Sequence, residues 1–217
     1  MHKPLQALPD SHLRLNRIEG IPDVRRRLTF RVDAPMTTTK PAPPDFGIDL
    51  LRCLWRAEGL EASMPGADAA AAKALVDLFA AETDLLRRIL GEHGWPGYQL
   101  VGQHASLCAW RIATYCTDGA LQARALELLG KAVHQGDANP LHYALLADRI
   151  CFNLGQPQRF GTLYVPTHVG FLRLYRVVEP ERLDDRRYAL GLEPHAEWAN
   201  RLQAQSLPTE LAAGASG

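Results

Sequence analysis

From Asp45 onward, apolar residues recur at steps of three and four, the spacing that lines one face of an α-helix. Asp45 is placed to cap a helix over 46–58, with Ile48, Leu51, Leu54 and Trp55 as its apolar face and Gly59 as its stop. Asp68 can cap a second helix over 69–91, where Leu75, Leu78, Phe79, Leu86, Ile89 and Leu90 keep the period. The turn Trp95-Pro96-Gly97 separates it from a third helix over 99–116. A fourth follows over 120–135 and a fifth over 139–154, the latter with Asn139 as cap, Pro140 in its first turn and Gly155 just past its end.

Between 156 and 178 the pattern changes. Pro157, Gly161, Pro166 and Gly170 break helical continuity, while 162–165 and 171–178 favour extended backbone. Two short closing helices are expected over 181–190 and 195–202. The pattern therefore predicts a mainly α chain: an irregular bundle of six or seven helices with a small β-hairpin or flap near 160–178. Short connections such as 117–119 favour antiparallel neighbours.

Residues 1–45 carry no helical period, are rich in proline and hold the basic run Arg25-Arg26-Arg27. They are expected to be disordered or extended, and Met36 is an alternative start. Residues 46–204 then form one helical domain and 205–217 a frayed tail.

Charge narrows the classes of function. Lys and Arg number 24 and Asp and Glu number 24, so the formal net charge is zero. This removes the electrostatic reason to expect nucleic acid or an anionic membrane as partner. No apolar run approaches the ~20 residues a spanning helix needs, and the N-terminus lacks a leader-like apolar core. The four cysteines, Cys53, Cys108, Cys116 and Cys151, form no C-x-x-C pair and lie in apolar helical stretches. They are expected to be reduced, buried thiols of a cytoplasmic protein. No metal site is expected, and no motif names a cofactor: phosphate-binding glycine loops, H-E-x-x-H and G-x-S-x-G are all absent.

Four polar positions of the third helix, His104, Cys108, Arg111 and Tyr115, fall at steps of four, three and four and so share a face. They are read either as satisfied core groups or as a pocket wall in which His104 or Tyr115 moves a proton. In the fifth helix Asp148 aligns with Leu141, Leu145 and Phe152, so a carboxylate points where apolar residues point. It needs cationic or hydrogen-bonding partners. Arg149 lies about 100° away around the helix, so a more distant arginine is the expected partner. Asp184-Asp185-Arg186-Arg187 reads either as a solvated charged turn or as the source of an arginine that reaches inward to Asp148 or to an anionic substrate group. Gln158, Gly161 and Thr162 follow the helix and suit close backbone approach to a ligand or to packing helices.

The stretches Gly94–Pro96, Val101-Gly102, Tyr143–Ile150, Gly155–Thr162 and Asp184–Pro194 together resemble an uncharacterised bacterial family, a domain of unknown function. The resemblance spans about 70–200. Asp148, Arg149, Gln158, Gly161, Thr162, Arg186 and Arg187 match its pattern. Tyr115, Thr117 and Leu163 stand where members have histidine, acid and glutamine. The combined expectation is a small-molecule enzyme or enzyme-like protein. Asp148, Tyr115 and His104 would be its catalytic candidates. Arg149, Gln158, Gly161, Thr162, Arg186 and Arg187 would bind the ligand. The alternative is a non-catalytic binding or interaction protein in which the polar cluster specifies the fold.

Overall fold

The computed structural model describes residues 45–63, 69–166 and 172–206. The expectations for 1–44, for the hairpin tip and for the C-terminal tail lie outside them. Eight α-helices and one two-stranded antiparallel hairpin make up the described chain, so its class is mainly α. The helices are α1 Asp45–Ser63, α2 Ala69–Ala81, α3 Thr83–Glu92, α4 Tyr98–Tyr115, α5 Gly119–His134, α6 Pro140–Asn153, α7 Leu183–Ala189 and α8 His195–Ser206. Strands β1 Tyr164–Pro166 and β2 Leu172–Leu174 lie between α6 and α7, with Val165 opposite Arg173. No described helix is long and apolar enough to cross a membrane.

Helix α4 is central and packs against α1, α2, α3, α5 and α6. It is buried around most of its girth through small side chains, Ala105, Cys108, Ala109 and Ala113, which allow neighbouring helices to approach closely. Gly102, at φ +81°, breaks the helix near its start. This backbone favours glycine because it has no Cβ to clash.

Two boundaries differ from the sequence pattern. The helix expected over 69–91 divides at Glu82, so there is one helix more than the pattern counts. Helix α1 continues through Gly59 to Ser63 and buries Leu50, Cys53, Leu54 and Ala57 against the core. Trp55 is 63% exposed and Ile48 40%, so the apolar face assigned to α1 is rotated. Of the cysteines, Cys53, Cys108 and Cys116 are buried, Cys151 is half-buried, and all four are free thiols.

Candidate functional site

Helix α6 presents two polar faces. Asn139 caps it by accepting from the Leu141 N–H at 2.9 Å, and Pro140 opens its first turn. Asp148, on one face, is 0% exposed. Its carboxylate accepts from the backbone N–H groups of Arg159 (2.7 Å), Phe160 (2.9 Å) and Thr162 (2.9 Å), and from the Thr162 hydroxyl (2.9 Å). The turn that follows α6 is therefore wrapped around the acid.

The carbonyl side of that turn is held by the closing helix. Arg186 Nε donates to Arg159 O at 2.8 Å, and Arg187 Nη1 donates to Phe160 O at 2.7 Å. Among the described residues no arginine forms an ion pair with Asp148. The sequence expectation of a direct Asp148–arginine contact is corrected here: the peptide groups of the turn stand between the charges, N–H ends toward the acid and C=O ends toward the guanidiniums. The backbone of a buried turn needs partners for both ends, and this arrangement supplies them from ionised side chains, whose hydrogen bonds are the stronger kind. Burial pushes the Asp148 carboxyl above its ordinary range, while the N–H groups of Thr162, Phe160 and Arg159 and the Thr162 hydroxyl work against that shift.

Gln158, also 0% exposed, completes the clasp. Its amide nitrogen donates to Leu163 O and Tyr175 O at 3.0 and 2.9 Å, and its amide oxygen accepts from the Leu163 N–H at 2.8 Å. Gly161 has φ +68°, and a Cβ there would come within 2.8 Å of the His195 ring. The ring's Nε2 lies 2.9 Å from the Tyr164 hydroxyl. Burial, with the Arg187 charge, lowers the His195 pKa. Nothing local in the sequence marks Tyr164 or His195 as partners.

The second polar face of α6 carries His142 and Arg149, seven residues apart and so nearly in register. It meets α4 at Trp110, Arg111 and Tyr115. Trp110 stacks on His142 with ring centroids 4.4 Å apart, and Tyr115 on Phe79 of α2 at 5.2 Å. Arg111 lies over Phe79 and reaches Glu61 of α1 at 3.1 Å, yet its buried Nη1 has no acceptor among the described residues. Arg149 is half-buried, its Nε is sealed from water, and no described residue accepts from it. Burial lowers its pKa. Burial raises the Tyr115 pKa, opposed by the charges of Arg111 and Arg149. The structure thus brings Tyr115 and Arg149 together and leaves His104 out. His104 is exposed in the first turn after the Gly102 break, roughly 16 Å along the axis from Tyr115.

Burial, then the Arg111 charge, lowers the His142 pKa to about 4. A histidine whose folded pKa lies below its unfolded value near 6.5 favours the fold only while neutral. Its contribution is full above the unfolded value and is lost as pH falls toward about 4. The loss is up to roughly 3 kcal/mol, less where water reaches the ring edge. His142→Phe keeps the stack on Trp110 and should lose clearly less stability than wild type between pH 7 and pH 4.5 in urea titrations. Equal losses in the two proteins would count against a buried neutral ring.

A cleft of about 700 Å³ opens between α5, α6 and α7, lined by Gly130, Lys131, His134, Tyr143 and Leu190. It contains none of the polar groups described above. Among the described residues no group of three or more His, Cys, Asp or Glu is placed to hold a metal ion.

Residues 56–207 match the model of a family of unknown function, DUF6624, and the chain belongs to that family. No curated protein and no solved structure matches the chain.

Proposed function

We propose that this member of the DUF6624 family is a small-molecule-binding protein whose ligand meets Arg149 on the α4-facing side of α6, while the Asp148 network serves the fold. One observation carries this: Arg149 is a guanidinium drawn partly out of water with no acceptor among the described residues. Arginine is rarely buried without a partner, because desolvating a charge is costly. Arg111 offers a second unpartnered donor from α4. The Asp148 carboxylate, with four donors at 2.7–2.9 Å and no exposure, has no position left for a substrate. A catalytic alternative would run through the Tyr164–His195 pair at 2.9 Å.

The test is Arg149→Leu. It should raise stability by about 1 kcal/mol, since an uncompensated charge is removed while the shorter leucine keeps the apolar part of the stem. It should also abolish any melting-point increase that a metabolite panel produces in wild type, because only a ligand of the native state raises that midpoint. A destabilised Arg149→Leu variant that keeps every ligand response would refute the assignment.

A further inference from the structure

We infer that the ligand presents an oxyanion, a carboxylate or phosphate group, to Arg149; this rests on the proposal that Arg149 faces a ligand. The argument is one of charge. Helix α4 sends Arg111 over Phe79 of α2 toward α1, and α6 carries Arg149, whose Nε is sealed from water with no acceptor among the described residues. Among the described residues the acid in contact with either is Glu61 of α1, at 3.1 Å from Arg111. Arg56 and Glu82, whose charges reach the same α1–α4 region, are paired with each other at 3.1 Å. His142 lies against Trp110 and is neutral near pH 7, and Tyr115 keeps its proton. Among the described residues Arg111 has a carboxylate partner and Arg149 has none, so the Arg149 charge is left uncompensated.

A neutral carbonyl oxygen would accept a hydrogen bond from Arg149 but would leave that charge in place. An oxyanion satisfies both needs, and the planar fork of a guanidinium matches the two oxygens of a carboxylate or phosphate. The stacks Phe79–Tyr115 and Trp110–His142 add apolar, ring-lined surroundings on α2, α4 and α6. There water screens a charge poorly and an ion contact is stronger than at an open surface. The chemistry does not separate a carboxylate from a phosphate, and the experiment is built to do so.

The full chain is titrated with sodium phosphate, sodium malonate and malonamide, the uncharged counterpart of malonate. Ionic strength is held constant with sodium chloride, and melting midpoint and calorimetric heat are read. Phosphate, malonate or both should raise the wild-type midpoint in a saturable way, and malonamide should not. Arg149→Gln should weaken the response at least tenfold. Arg149→Lys, which keeps the charge and the fold but loses the fork, should fall between. A response to phosphate alone assigns a phosphoryl ligand, and one to malonate alone a carboxylate. No response to either anion overturns the inference, as does a response that Arg149→Gln and Arg149→Lys leave unchanged. Equal responses to malonamide and malonate, lost in Arg149→Gln, would overturn the oxyanion class while leaving binding at Arg149 standing.

Discussion

Replacing Asp148 by asparagine is expected to cost roughly 3–5 kcal/mol, the range for removing one partner from a buried charged network. The shape is almost unchanged, so packing is not the cause. Asparagine carries one carbonyl oxygen and one NH₂ where the native residue carries two acceptors. The Arg159, Phe160 and Thr162 N–H groups and the Thr162 hydroxyl converge on those two oxygens. In the variant at least one N–H of the turn faces another donor. Each bond to a charged acceptor contributes ~1.5–3 kcal/mol, and a buried donor left unmatched adds its own desolvation cost. Urea denaturation at pH 7 measures the loss. A cost below about 1 kcal/mol would mean that the carboxylate is not what holds the turn.

Gly161→Ala should be the next most damaging single change, at about 2–4 kcal/mol from two additive sources. The first is backbone: a residue with a Cβ at φ +68° costs ~1–2 kcal/mol. The second is steric. The new methyl would sit 2.8 Å from the His195 ring and 3.1 Å from Leu183, so the ring must move and its contact with Tyr164 goes with it. Gly155→Ala separates the two. Gly155 has the same φ of +68° but nothing within 4 Å of a Cβ, so only the backbone cost applies. Thermal melts of both variants should place Gly161→Ala well below Gly155→Ala. Equal losses would remove the proposed contact between the turn and α8.

What the sequence disclosed follows from how local each signal is. Helix α6 was legible because its cap, its first-turn proline and the glycine beyond its end lie within one short stretch. The hairpin was legible from the breakers and β-branched residues around it. The burial of Asp148 could be read from the apolar residues that share its face. Its partners could not. Charge reasoning named arginines, and Arg186 and Arg187 are indeed there, but they bind the carbonyl side of the turn and act on the acid through it. Peptide N–H groups belong to every residue but proline, so no side-chain pattern announces that three of them will converge on one carboxylate.

The misplacements have similar causes. On α1 two apolar stripes compete. The one with Cys53 and Ala57 is buried because small side chains let α1 lie close to α4, which leaves the larger Trp55 outside. The break at Glu82 has neither glycine nor proline to mark it. His104 and Tyr115 fit one face of an ideal helix, but the residues between them span most of α4, and a shared face does not make a shared site. His142 and Arg149 share a face of α6 by their seven-residue step, but neither the histidine nor the arginine carries a local mark of burial, whereas Asp148 stands among apolar neighbours.

The commitment of Asp148 to the turn can be observed without any variant or ligand, by amide hydrogen exchange at Arg159, Phe160 and Thr162 resolved by NMR. These amides lie outside helices and strands, where exchange is ordinarily fast. Bonded to a fully buried carboxylate, they should exchange as slowly as the amides of the central turns of α6. Exchange at the rate of an open surface loop would contradict the clasp, and with it the division of roles between Asp148 and Arg149.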